Sequence, residues 1–197
     1  MINLTKGDAP VTLNKVSELS VRMLWPARTD YDLGAELLFA DGTTQSLATF
    51  GARYYDGSQA DAAQVSKDGS VVHSGDVKRK LFGTSAEESL TIKLDSSTQV
   101  VGIAPWAYSA QSNGTGSFRK YNVVLLVSDG TNTVKIDARN ISDSETVYTC
   151  VPAIIRIVDG APVVEYKEMY SYRGSENRPA WVGPRLTMDA GPRNNYK

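Results

Sequence analysis

Val123-Val124-Leu125-Leu126-Val127-Ser128-Asp129-Gly130-Thr131-Asn132-Thr133-Val134-Lys135-Ile136-Asp137-Ala138 sets two short apolar runs on either side of an Asp-Gly pair. Asp-Gly supplies the positive φ angles of a tight hairpin, and residues such as Val and Ile fit a pleated, half-buried surface. The same grammar returns at Val147 to Val158, Asp159-Gly160 and Val163 to Tyr166, and Asp41-Gly42 and Asp68-Gly69 each separate two further runs. Upstream, Val11 to Leu13, Leu19 to Trp25, Ala35 to Ala40, Val71 to His73, Leu90 to Leu94 and Val100 to Ala104 are again short and bounded by turn residues. Many short strands at this spacing predict an all-β fold, a β-sandwich of antiparallel strands. Helical periodicity is scarce; its best candidate, Asp61 to Lys67, is too short to stand without tertiary support.

At 197 residues the chain suits one good-sized β domain, read as residues 1–168, followed by an extended C-terminal arm over residues 169–197. Basic and acidic residues number 21 and 22, for a formal charge of −1, so no long-range field draws in nucleic acid or an anionic membrane. The one basic run, Lys78-Arg79-Lys80, is too short to change that expectation. No stretch reaches the roughly 20 apolar residues of a membrane-spanning helix, and the N-terminus lacks a basic segment followed by an apolar one, so a cytoplasmic location is expected. The single cysteine, Cys150, sits in an apolar run and reads as a buried thiol. Ser109 to Lys120, rich in Ser, Asn, Gly and Thr, reads as a flexible or partner-ordered loop.

Catalysis finds little to work with. One His and one Cys cannot make a zinc site, no Gly-x-Ser-x-Gly elbow or phosphate-cradling loop occurs, and a non-enzymatic protein is expected. Carboxylates are better placed. Asp30 and Asp32 precede a predicted strand at two-residue spacing, which would set them on one face, and Asp68 and Asp76 flank Val71 to His73. Carboxylates converging on a strand end and its loop suit a hard cation such as Ca²⁺. Read plainly, the same residues are good turn formers. Glu36, Glu87 and Glu88 are second candidates; Glu87 and Glu88, being adjacent, should face opposite ways and read as solvated, and His73 between apolar neighbours reads as structural.

Those same segments carry a family resemblance. Ile2-Asn3-Leu4-Thr5-Lys6-Gly7 through Val11-Thr12-Leu13-Asn14-Lys15, Leu24-Trp25, Asp30-Tyr31-Asp32-Leu33 through Asp41-Gly42, and Asp68-Gly69-Ser70-Val71 through His73-Ser74-Gly75-Asp76 resemble, in order and spacing, the tellurium-resistance TerD family. A weaker likeness extends through Glu87 to Asp95 and Gly116 to Val123, so that residues 2–160 are covered. The resemblance implies a calcium-binding stress-response β-sandwich without known catalysis. It also implies a weakened metal site. The family carries a further Asp where this chain has Gly34, continues after Gly75-Asp76 with Asn and a Gly-rich turn where this chain has Val77-Lys78-Arg79-Lys80, and has a fuller acidic cluster than Glu87-Glu88. Ca²⁺ affinity falls with the loss of ligand charge.

Beyond Tyr170 the pattern stops. Tyr172, Arg178, Trp181 and Arg185 lie in a stretch without period, which cannot bury a continuous face of its own. They are candidate partner-binding residues, engaging a neighbouring copy or a larger assembly, with Trp181 packing back on its own domain as the equal alternative. Trp25 reads as core and Trp106 as a cover over an open end of the sandwich. The rival to a cellular binding module is therefore a structural protein of a bacteriophage particle, located in the virion and laced to its neighbours by the arm. Tyr54, Tyr55, Tyr108 and Tyr121 leave room for a third class, carbohydrate or peptide recognition.

Overall fold

The structure, a computed structural model, describes residues 1–60, 62–77 and 83–195. In chain order its strands are β1 (Ile2–Asn3), β2 (Val11–Thr12), β3 (Glu18–Pro26), β4 (Tyr31–Phe39), β5 (Thr44–Leu47), β6 (Ala52–Arg53), β7 (Gln59–Ala60), β8 (Val71–His73), β9 (Ser85–Lys93), β10 (Val100–Ser109), β11 (Val123–Ser128), β12 (Thr133–Ala138), β13 (Thr149–Val158), β14 (Ala161–Tyr170), β15 (Ala180–Val182), β16 (Arg185–Thr187) and β17 (Arg193–Asn194). Two six-stranded sheets, ordered β1-β12-β11-β3-β9-β8 and β2-β14-β13-β10-β4-β5, form an all-β sandwich; β15-β16 and β17-β6-β7 are small accessory sheets. All pairs are antiparallel except β1 with β12.

Side-chain alternation builds the core. In β3 the residues Leu19, Val21, Met23 and Trp25 are buried while their neighbours face outward, and β9 buries Ala86, Leu90 and Ile92 the same way. They meet Tyr31, Leu33, Ala35, Leu37 and Phe39 of β4 in one continuous cluster. The hairpin between β13 and β14 pairs Val158 with Ala161, leaving Asp159 and Gly160 at φ 50° and 76°. Two consecutive positive φ angles match the right-handed twist of the flanking strands, which is why Asp-Gly closes this turn.

Strand β4 is buried along its whole length, because both of its faces are covered. The arm supplies the second cover. After β14, which runs on to Tyr170 across the expected boundary at 168, the chain folds back over the outer face of the second sheet, and Trp181 joins Leu38, Phe50, Ala104, Trp106, Tyr108, Val151 and Ile154 in a second apolar cluster. Trp106 is thus a fully buried residue of β10 beneath the arm and not a lid on an open end.

Two further expectations are corrected. Residues 62–67 form no helix, their backbone instead carrying the Val65↔Val72 bridge, while Asp61 lies outside the described residues. Ser109 to Lys120 is tied down by its own polar groups: Asn113 Oδ1 accepts from Asp30 N at 3.1 Å, Asn113 Nδ2 donates to Asp30 O at 2.6 Å, and a short helix, α1 (Ser117–Lys120), buries Phe118. Lys78-Arg79-Lys80 lies outside the described residues.

Candidate metal centre

Strand β5 pairs β4 only from Ala35 to Leu38, so among the described residues the edge of β4 before Ala35 has no strand beside it. Leu33 exposes an N–H and a C=O there, and two buried side chains from the other sheet satisfy both. Leu33 N donates to Glu88 Oε2 at 2.8 Å, and His73 Nε2 bonds Leu33 O at 2.9 Å. Gly75 N donates to His73 Nδ1 at 2.9 Å, so Nδ1 is an acceptor and the ring proton sits on Nε2. Burial lowers the His73 pKa against the opposing pulls of the Leu33 carbonyl and Asp76, keeping the ring neutral.

Glu88 is the centre of this arrangement. Its other oxygen, Oε1, accepts from Val77 N at 2.8 Å, and His73 Nε2 lies 3.7 Å from Oε2. Burial pushes its pKa up to about 8; the two N–H donors oppose this, and the nearby Asp32 and Asp76 carboxylates reinforce it. Ligand oxygens of Asp32, Asp76 and Glu88 all lie within 4.8 Å of one another, with Asp32 and Glu88 buried and Asp76 exposed toward solvent. Three carboxyl groups this close repel one another when ionised, which raises a carboxyl pKa, whereas a shared cation would favour the ionised form. An all-oxygen donor set with one solvent-facing member suits a hard divalent cation; His73, with both ring nitrogens engaged, offers no soft ligand.

Of the four aspartates expected here, the structure gathers two. Asp30 precedes β4, so strand alternation does not carry it onto the face of Asp32, and its backbone is held by Asn113. Asp68 belongs to its own turn, accepting from Ser66 Oγ at 2.6 Å, Ser70 N at 3.1 Å and Gln99 N at 2.9 Å. Glu87 faces outward to Arg22, with Arg22 Nε donating at 2.7 Å, but Glu88 is 1 % exposed and not solvated. The sequence signal for Glu88 was its place in the inward register Ala86-x-Glu88-x-Leu90-x-Ile92, where a carboxylate is out of character for a core position.

Glu36 lies under the arm, away from the three. It accepts from Ser46 Oγ at 2.8 Å and Trp106 Nε1 at 3.1 Å; burial pushes its pKa up to about 8 against the pull of these donors and of Arg178. Arg178, buried, donates from Nε to Asn194 Oδ1 at 2.6 Å, from Nη2 to Phe50 O at 2.7 Å and from Nη1 to Ser46 Oγ at 3.1 Å, with its guanidinium over the Phe50 and Trp106 rings. Trp181 Nε1 donates to Glu36 O at 2.9 Å. Arg178 and Trp181 are therefore internal anchors and not free partner-binding residues, because the outer face of the second sheet supplies the surface they need. Tyr172 and Arg185 stay exposed.

No family model matches the chain, and no curated protein matches it. Among solved structures, the chain is similar to a homologue of telluride resistance protein (TerD) from Streptomyces coelicolor A3(2), at 18 % identity and a TM-score of 0.49 over 81 % of this chain and 92 % of that one. It is also similar to a protein of unknown function, SAV2460, at 16 % identity and a TM-score of 0.49 over 79 % of this chain and 92 % of that one. Each likeness is one of fold.

Proposed function

We propose that this chain is a non-enzymatic binding module of TerD-like type, in which Asp32, Asp76 and Glu88 hold a Ca²⁺ ion. The observation that carries the reading is the convergence of three carboxylates within 4.8 Å at an edge of the sandwich, two of them buried. Ca²⁺ accepts six to eight oxygens in a loose geometry, so three carboxylates leave positions for water and make a weaker site than a full cage. The sequence resemblance to a calcium-binding stress-response family points the same way and extends the proposal to a tellurite- or stress-resistance role. Nucleophilic chemistry gains no support: the Cys150 thiol is buried and its pKa is raised by that burial, and His73 is neutral with both nitrogens engaged. A virion role rested on an arm free to lace subunits together, and two of its four named anchors, Arg178 and Trp181, are engaged within the chain.

Calorimetric Ca²⁺ titration with parallel thermal melting tests this. A ligand at about 100 times its Kd stabilises the native state by about 2.7 kcal/mol, or roughly 5–10 °C for a chain of this size. Asp32→Asn should abolish that shift with little change in the stability of the metal-free protein; Glu88→Gln should abolish it too, at a cost of about 1–3 kcal/mol, because an amide offers one acceptor oxygen where Leu33 N and Val77 N use two. No heat and no shift at about 10 mM Ca²⁺ would refute the proposal.

A further inference from the structure

A cleft that shares no residue with the carboxylate centre is built jointly by the arm and the β6–β7 hairpin. Strand β6 is paired on both sides, Arg53 with Gln59 of β7 and with Arg193 of β17. The arm adds Asn177 by its bridge to Arg193, and Gly191, whose N–H donates to Arg178 O at 2.9 Å. Arg53, Tyr54, Tyr55, Asn177, Gly191 and Arg193 line a cavity of about 220 Å³. Gly191 lines it with backbone alone, and a Cβ there would lie 2.9 Å from the carbonyl oxygens of both Arg178 and Pro179.

Three features of the wall point to a ligand. Tyr55 is fully exposed and Tyr54 about half exposed (47 %), although the turn that carries them is pinned: Tyr54 N bonds Ser58 O at 2.9 Å, Gly57 N bonds Tyr54 O at 3.0 Å, and Asp56 Oδ1 accepts from Ser58 N and Oγ. Aromatic rings presented on a rigid turn give contact area at low entropic cost. Arg53 makes no ion pair among the described residues, and Arg193 reaches Glu176 Oε2 at 3.3 Å while its side chain stays 66 % exposed. Asp56, the nearest acid on the hairpin, is engaged through Oδ1 in its own turn. The cavity is smaller than the roughly 300–1,000 Å³ of drug-sized pockets, which suits one ring and not a long ligand.

We infer that this cleft binds a carboxylated sugar residue, with its C–H face on Tyr54 or Tyr55 and its carboxylate in the guanidinium fork of Arg53. Arginine matches a carboxylate with two parallel N–H donors, which gives orientation as well as attraction. Single-stranded nucleic acid fits less well, because it needs a basic track along the backbone, and the chain carries 21 basic against 22 acidic residues. The site is independent of the cation reading.

Isothermal titration of the full chain in EDTA, so that no bound Ca²⁺ bridges the carboxylates, would use four probes: free glucuronic acid, a tetrameric galacturonate, cellotetraose and a ten-residue oligothymidylate. Binding of at least one acidic sugar with a Kd of about 1 mM or tighter is expected, with cellotetraose about tenfold weaker. Free acid and tetramer together distinguish a monosaccharide from a polymer as the source. Arg53→Gln and Tyr55→Ala change exposed side chains outside both apolar clusters and should each weaken that binding about tenfold. Absence of acidic-sugar binding, equal binding of cellotetraose, unchanged affinity in both variants, or tighter binding of the oligothymidylate would overturn the inference.

Discussion

Gly34→Ala adds one methyl group to the middle of β4, and the structure predicts an unusually large loss of stability for so small a change. A Cβ built on Gly34 would lie 2.1, 2.3 and 2.4 Å from Cζ2, Cε2 and Cη2 of Trp106. Restoring contact at about 3.5 Å requires the ring to retreat by about 1.4 Å. It has little room, since Phe50 meets it edge-on with centroids 6.2 Å apart and the Arg178 guanidinium lies 5.3 Å from its centre. Overpacking of this kind costs about 1–3 kcal/mol. Displacing Trp106 also breaks its bond to Glu36 Oε1 in a buried setting, adding about 1–3 kcal/mol. A total of about 2–6 kcal/mol is a large share of the stability of many domains. Gly102→Ala is the internal control: its Cβ would meet Leu38 Cβ at 3.2 Å and Trp181 at 3.4 Å, contacts that small adjustments absorb, for about 1 kcal/mol or less. Urea unfolding of both variants, read as midpoints at constant slope, decides the matter. A Gly34→Ala protein destabilised by no more than its Gly102→Ala counterpart would refute the packing described for the outer face of β4.

Arg178→Met, which keeps much of the side-chain volume but leaves Asn194 Oδ1 and Phe50 O buried without their donor, should cost about 2–6 kcal/mol in urea unfolding; Arg178→Lys should not rescue it, because one ammonium cannot reach Asn194, Phe50 and Ser46 together. In EDTA, stability should fall as pH rises. Glu36 and Glu88 are carboxyls whose folded pKa values, each about 8, stand above the ordinary glutamate value of 4.5, so the folded state binds more protons than the unfolded one between those limits. Each group's contribution is full below about 4.5 and is lost through about 8, at ~1.4 kcal/mol per pH unit in between. Melting curves at several pH values should show a shallower decline in Glu36→Gln than in the parent, and an unchanged slope would contradict the burial assigned to that carboxyl.

The sandwich was legible because its information is local. Asp159-Gly160 dictates its turn from two residues, and the alternation of Leu19, Val21, Met23 and Trp25 marks the inward face of β3 without knowledge of any other strand. The carboxylate centre was half legible. Asp32 and Asp76 stand in segments whose turns are visible, but Glu88 joins them through its bond to Leu33 at the edge of β4 that β5 leaves uncovered, a fact of sheet order across 55 positions. The arm was misread for the same reason. Arg178 and Trp181 have no period, and what holds them is a set of bonds to residues 46, 50, 36 and 194. Nor did strand β4 announce its second cover: in Tyr31-Asp32-Leu33-Gly34-Ala35-Glu36-Leu37-Leu38-Phe39 one parity is Tyr, Leu, Ala, Leu, Phe and the other Asp, Gly, Glu, Leu, an alternation that reads as one face buried and one solvated.

That cover also accounts for one departure from the TerD-like pattern. The resembled family carries an Asp where this chain has Gly34, and read as a ligand count the change is a loss of charge at the cation site. In this structure position 34 lies on the face beneath Trp106, where even a methyl group collides with the indole, so an aspartate there would drive the ring off Glu36 and open the seat of the arm. The glycine is therefore a requirement of packing the arm. The carboxylates that remain, Asp32, Asp76 and Glu88, are drawn from three separate segments around the Leu33 edge, and the arm's anchors Arg178 and Trp181 do not contribute to them. The chain can thus seal one sheet face with its own C-terminus while keeping an acidic edge open to solvent through Asp76. On this account Gly34→Ala should unseat the arm and Glu88→Gln should silence the edge, each leaving the other intact, because the two sites share strand β4 but no side chain.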